Sequence, residues 1–306
     1  MPLAAGDPER GRARAKIAIF LALVAAFAGI LDLLRVLVPF GTTLSILTWT
    51  PRFADALAMW SVGLAGFIAL VVIDRSLRDF GLKAGAPKYM FFALALPIAY
   101  GAAVYVPVWV FQLGWFAGAP MLWAATLSAV LRLPLHLFVA VGEELGWRGV
   151  LVPNLARIAD ARYVAFVPGT IWALWHYPDI LLFDYNVGTP FLFALICFSI
   201  SLIGQGAFLS WLRLASGSIW PAIVFHGVHN SVILGIFDRV TAPGALTVYI
   251  TTEFGVGFSI VSALVGYLFW SKLRSSGAAN AKPTHACQSH LENGAQVLKA
   301  RKTLDG

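Results

Sequence analysis

Apolar residues in this chain run in long blocks separated by short polar stretches, with neither strict alternation nor a heptad spacing. The blocks fall at about 17–40, 55–74, 89–113, 120–156, 163–183, 189–212, 217–237 and 246–271. At a helical rise of ~1.5 Å per residue, each is long enough to cross a hydrocarbon core of ~30 Å. The pattern predicts an all-α fold, a polytopic integral membrane helical bundle of about eight transmembrane helices. The block at 120–156 exceeds one straight crossing, so a kink at Pro134 or a start along the surface is expected. Ser216-Gly217 is expected to interrupt the chain ahead of the seventh block. Residues 1–16 are polar and basic, and the tail from Ser275 onward is polar and predicted disordered, with His285 and His290 as solvated residues. Ala26-Phe-Ala28 resembles a signal-peptide cleavage site, but the apolar run continues past it and favours an uncleaved helix.

Composition agrees with the blocks. The 306 residues are 59% hydrophobic and 12% charged, where a soluble domain carries about 25% charged residues. The net charge of +7 does not point to nucleic acid, because the basic residues are scattered between apolar blocks and form no stripe. They cluster at the N-terminus, in the second connection (Arg75, Arg78, Lys83, Lys88), at Arg157 and Arg162, at Arg213, and at Lys272 and Arg274. The excess of Lys and Arg in alternate loops puts both termini in the cytoplasm, as an even number of crossings requires. High Ala and Gly content with short loops leans toward a bacterial inner membrane. Cys197 and Cys287 suggest neither a disulfide framework nor a thiolate metal site.

Against this background the polar residues inside the blocks carry the chemistry. Glu143, Glu144 and Arg148 lie in the fourth block, where each charge costs about 2.5–3.5 kcal/mol if left alone in lipid. Glu144 and Arg148 are spaced to pair along a helix and support its geometry, whereas Glu143 points about 100° away and needs a partner elsewhere. His176 lies in the fifth block, and His226, His229 and Asn230 in the seventh. Glu143, His176 and His226 each stand about 13–14 positions from a basic residue at the cytoplasmic side, so all three reach a common depth, on the order of 20 Å from their anchors. A carboxylate, an imidazole and a His/Asn pair therefore converge. Such a set can activate water, with Glu143 as base, His176 holding the water, and His226 with Asn230 donating to an oxyanion. The same groups, Glu143, His176 and His226, could instead bind a divalent metal such as zinc, and spacing alone does not separate the two.

Other polar residues have blander readings. His229 fits an interhelical hydrogen bond, and Arg132 and His136 either line a watery entry or reach outward. Asp32 and Arg35 pair or reach the interface. Gln205, between Gly204 and Gly206, fits close helix packing, and Glu253 fits the interface at the outer end of the last block.

Glu143-Glu144-x-x-x-Arg148, then Trp172-x-x-x-His176, then His226-x-x-x-Asn230 resemble the three motifs of the CPBP family, which comprises CAAX-type prenyl-protein endopeptidases and bacteriocin-processing or immunity membrane proteins. The likeness runs from about Met121 to Val240 and includes Gly217-Ser-Ile-Trp220-Pro221 ahead of the third motif. Trp172 stands where Phe is more usual. The apolar blocks divide the chain into N-terminal transmembrane helices over 17–113, a last transmembrane helix over 241–274 and a tail over 275–306, and the resemblance makes 114–240 the catalytic core. It implies an intramembrane endopeptidase acting on a membrane-associated or lipidated protein or peptide, with its site open toward the cytoplasmic half. Its catalytic residues would be Glu143, His176, His226 and Asn230, supported by Glu144 and Arg148, with a metal-dependent or a metal-free glutamate mechanism. The alternative is a non-catalytic immunity or partner-holding membrane protein. An ion-coupled transporter lacks the paired interrupted spans expected of inverted repeats. Oligomeric state is not legible.

Overall fold

The computed structural model describes residues 3–4, 6–38, 43–44, 47–48, 50–183, 185–186 and 188–280. The first helix, α1 (Pro8–Leu37), starts where Asp7 accepts a hydrogen bond from the Glu9 N–H and Pro8 fixes the opening turn. It is followed by α2 (Pro51–Asp74), capped by the Thr50 hydroxyl in the same way, and by α3 (Pro87–Val110). Next, α4 (Ala119–Gly146) runs through a π-helical stretch, Trp147–Leu151, into α5 (Val152–Ile158). A second bundle segment holds α6 (Ala161–Trp175), α7 (Tyr177–Leu182) and α8 (Phe191–Ser216). Then α9 (Trp220–His229) passes into a second π-helical stretch, Asn230–Phe237. The short α10 (Thr247–Ile250) and the long α11 (Val256–Asn280) complete the described chain. Strand structure is confined to two small antiparallel ladders, Thr43–Leu44 with Leu47–Thr48 and Gly114–Phe116 with Thr241–Pro243.

The protein is a polytopic helical bundle. Seven of its described helices are long and apolar enough to cross a membrane, against the eight expected. The difference lies at the fifth block, which divides at His176 into α6 and α7, neither of sufficient length alone. Pro178 explains the division, because its ring lacks an N–H and crowds the preceding turn. The fourth block is one 40-residue helical run, Ala119–Ile158, that passes through Pro134 without interruption and departs from α-geometry at Trp147 instead. The break foreseen at Ser216-Gly217 is present, with Gly217 left-handed at φ 66°. His285, His290 and Cys287 lie outside the described residues. Large apolar side chains such as Leu33, Phe91, Phe111, Trp123 and Leu131 remain exposed, which suits a surface whose solvent is lipid.

In lipid, helices associate by close backbone approach at small residues more than by hydrophobic expulsion. Gly63 and Gly66 of α2 face Gly142 and Gly146 of α4, and a Cβ on Gly63 would fall 2.6 Å from the Gly142 carbonyl oxygen. The same device joins α8 to α6 through Gly206 and Gly169, and α8 to α11 through Gly204 and Gly266. Gln205, between the two, is buried as expected. At one end of the bundle, Asp79 in the loop after α2 ties three elements together. Its carboxylate accepts from Lys16 at 2.9 Å and from Arg157 at 2.7 and 2.9 Å, and its carbonyl accepts from Arg213 at 2.7 Å. Lys16, expected in a solvated basic segment, is 1% exposed for this reason.

Candidate active site

Two glycines of α4, Gly142 and Gly146, press that helix against α2, and the carboxylates between them turn the other way into the bundle. Glu143, Glu144 and Arg148 are all buried, none more than 1% exposed. Glu144 Oε1 accepts from Arg148 at 3.0 Å, the pair expected from their spacing. The Arg148 guanidinium also lies 4.5 Å over the Trp172 ring, so part of its desolvation is offset by the ring's negative face.

Glu143 finds its partners on other helices. Trp172 of α6 donates its indole N–H to Glu143 Oε2 at 2.6 Å. His226 of α9 lies between the two carboxylates, with Nδ1 3.0 Å from Glu144 Oε1 and Nε2 3.9 Å from Glu143 Oε1. The His226 and Trp172 rings meet edge to face at 5.3 Å. Because the Arg148-paired Glu144 carboxylate only accepts, His226 Nδ1 carries a proton. In the neutral ring Nε2 is then a bare acceptor facing Glu143.

His176 ends α6, on the far side of Trp172, with the two ring centres 6.3 Å apart. Its Nδ1 is 3.6 Å from Asp179 Oδ2, and Arg35 holds the other Asp179 oxygen at 2.5 Å. Arg35 therefore does more than pair with Asp32, which lies 3.7 Å away. Tyr185 stacks on the His176 ring at 5.8 Å and donates its hydroxyl hydrogen to Glu253. Arg35, His176, Asp179 and Tyr185 line a cavity of about 480 Å³ that reaches Asp55 and Met59 of α2. The Met59 backbone packs on Gly142, next to Glu143.

This cavity lies at the end of α1 and α2 remote from Lys16 and Asp74. That is the end which loop charges assign to the non-cytoplasmic side.

The structure thus gathers Glu143, Glu144, Arg148 and His226 around Trp172, and sets His176 beside them. Asn230 is drawn off elsewhere. It begins the π-helical stretch, where the wider turn alters the simple four-residue alignment with His226, and it lines a separate cavity with Arg132 and His136. His229 does not face Glu143. It contacts the Tyr100 hydroxyl and lies 2.7 Å from Glu253 Oε1. Glu253, expected at the interface, is 7% exposed and held by His229 and Tyr185, because the segment after α10 folds back into the bundle.

As for a metal, among the described residues no group of three or more His, Cys, Asp or Glu side chains is gathered to hold one. Of the expected ligands, Glu143 gives one oxygen to Trp172, His226 gives Nδ1 to Glu144, and His176 turns to Asp179. His226 Nε2 and Glu143 Oε1 still face each other across 3.9 Å.

Sequence reading missed Trp172 as a hydrogen-bond donor, the Arg35–Asp179 support of His176, and Glu253 as a buried partner. The signal for the helix contact was present in the four-residue spacing of Gly142 and Gly146 on either side of the two glutamates.

Fold and site together define a multi-pass membrane protein built around a buried glutamate–histidine cluster. Residues 125–232 match a family model described as "Type II CAAX prenyl endopeptidase Rce1-like". The chain is also similar to "CAAX prenyl protease 2" of Methanococcus maripaludis, 29% identical over 146 residues, which cover 45% of this chain and 51% of that protein. The chain thus spans about half the length of the curated relative it matches. The family-model match covers the stretch that carries the three sequence motifs.

Proposed function

We propose that the protein is an intramembrane endopeptidase that hydrolyses a peptide bond in a membrane-associated protein or peptide. One observation carries the reading: the buried Glu143 carboxylate is fixed through one oxygen by Trp172, while its other oxygen faces His226 Nε2 across 3.9 Å. That separation is too long for a direct hydrogen bond and suits a bridging water. Two acceptors so placed take one hydrogen each, which leaves the water's lone pair free to attack the peptide carbonyl carbon. Glu143 accepts the proton as the C–O bond forms, and returns it to the amine as the C–N bond breaks. His176, facing the larger cavity, is the side-chain donor left for the oxyanion. Glu144 and Arg148 hold His226 in its tautomer. The likeness to a CAAX prenyl protease makes a lipidated protein the favoured substrate class.

A water activated by Glu143 needs no metal. The test is cleavage of membrane peptides by the purified protein and by Glu143→Gln, each with and without a chelator. The expected result is a loss of about 10³-fold in Glu143→Gln at unchanged thermal midpoint, with no effect of the chelator. Full activity in Glu143→Gln would sink the peptidase reading. Loss of wild-type activity on chelation, restored by zinc, would replace the metal-free route.

A further inference from the structure

Glu253 is buried between α10 and α11 and serves no step of the hydrolysis. A carboxylate only accepts, so both groups that reach it donate: His229 through Nε2 at 2.7 Å and Tyr185 through its hydroxyl at 3.1 Å. In the neutral His229 ring Nδ1 then accepts from the Tyr100 hydroxyl, so the hydrogen bonds from Tyr100 onward all run toward Glu253. The backbone is strained to bring the carboxylate there. Thr252, a β-branched residue, is left-handed at φ 62°. The Tyr105 hydroxyl accepts its N–H at 3.0 Å, and its own Oγ1 accepts from the Phe254 N–H at 3.2 Å. Strain of this kind persists only where the surroundings impose it, and it gathers at functional sites.

Tyr185 carries this fixed point to His176. Its ring lies parallel to the imidazole, at 12° and 5.8 Å, whereas Trp172, Trp175 and Phe198 cross it at 50°, 72° and 86°. Asp179 Oδ2, 3.6 Å from His176 Nδ1, is too distant for a direct hydrogen bond and leaves the ring plane undetermined. A stacked ring determines it. The Tyr185 N–H donates to the Asp179 carbonyl at 3.1 Å, which fixes the backbone, and the hydroxyl bond to Glu253 fixes the far end of the side chain. We propose that Glu253 is a positioning residue for the hydrolysis: through Tyr185 it sets the plane in which His176 meets the oxyanion. The inference rests on the peptidase reading above. The rate is sensitive to such placement, because a shift of ~1 Å can cost about 10²-fold.

The test measures cleavage of membrane peptides by the full-length protein in detergent, with rates taken per folded molecule. Tyr185→Phe keeps the stacked ring and removes the hydroxyl. It is expected to lower kcat about ten-fold with KM unchanged. Glu253→Ala removes the shared acceptor and is expected to lower kcat at least as far. Glu253→Gln should restore most of it. Its amide oxygen still accepts from Tyr185, and its NH2 donates to His229 Nε2 once that ring's proton moves to Nδ1. A wild-type kcat in Tyr185→Phe overturns the proposal, whatever the effect on the thermal midpoint, and so does a loss confined to KM. A Glu253→Gln protein as slow as Glu253→Ala overturns it too, because charge and not position would then be at work. If the wild-type protein cleaves nothing, the peptidase reading falls and the His176 ring is followed directly. Its NMR signal, assigned through its absence in His176→Gln, is expected to shift in Tyr185→Phe while the His226 signal stays. Such a shift keeps Glu253 and Tyr185 as the determinants of that ring's plane. An unmoved His176 signal overturns the inference.

Discussion

Trp172 has the most demanding position of any single side chain here. Its N–H holds Glu143, its face carries Arg148, and its edge meets His226. Trp172→Phe keeps most of the ring and removes the donor, leaving a buried carboxylate oxygen without its partner, at a cost of about 1–3 kcal/mol. Cleavage should fall by about 10- to 100-fold, chiefly in kcat, while peptide binding to the Glu143→Gln background stays unchanged. A wild-type kcat in Trp172→Phe would show that the indole only fills space. At this scale the Glu144–Arg148 pair was legible from its spacing alone, since one helix fixes that distance. The Trp172 bond was not, because it depends on how α6 is rotated against α4, and no local pattern encodes that rotation. Glu253 shows the same limit more sharply. Its place near the end of an apolar block suggested water, yet the chain folds back and seats it against His229.

The glycine contact between α2 and α4 sets the level at which Glu143 and Glu144 face inward. A Cβ on Gly146 would lie 2.5 Å from Val62 Cγ1 and 2.6 Å from the Val62 carbonyl oxygen, the latter backbone that cannot step aside. Gly146→Ala should therefore force the helices apart, lower stability by roughly 1–3 kcal/mol, and reduce cleavage with it. Gly29→Ala in α1, where nothing lies within 4 Å, is the control and should leave both unchanged. Thermal unfolding in detergent checks the pair, and equal midpoints for the two variants would remove the packing argument. Block lengths revealed most of the long helices, because burial in lipid demands continuous apolar runs. They did not reveal the split at His176, where a proline two residues on matters more than mean hydropathy. Nor did they reveal either π-helical stretch, which composition does not mark.

Across the whole molecule, Asp79 joins α1, α5 and α8 at the end remote from the His176 cavity. Burial alone would raise its pKa, but the hydrogen bonds and charges of Arg157 and Lys16 prevail and lower it from 3.8 to about 2. A carboxylate with a depressed pKa stabilises the fold above its unfolded value and loses that contribution as pH falls through the folded one. The stabilisation is about 2 kcal/mol above pH ~4, disappearing toward pH ~2. Asp79→Asn should lower the unfolding midpoint at neutral pH and flatten its dependence between pH ~5 and ~2. A variant curve parallel to wild type would mean that Asp79 is not the group responsible. The loop charges were legible in the sequence as topology signals. Their mutual binding was not, since Lys16, Asp79, Arg157 and Arg213 are brought together only by the assembled bundle.

The π-helical turn at Trp147–Leu151 lies between the two glutamates and this anchor. Each such turn accommodates one residue more than an ordinary helix of the same length. Excising a single residue there would let the backbone relax into regular geometry, yet swing everything beyond it by about 100°. Arg157 would then leave Asp79 while Glu143 kept its orientation, so the extra residue acts as the phase adjustment that lets one rod serve both ends of the membrane.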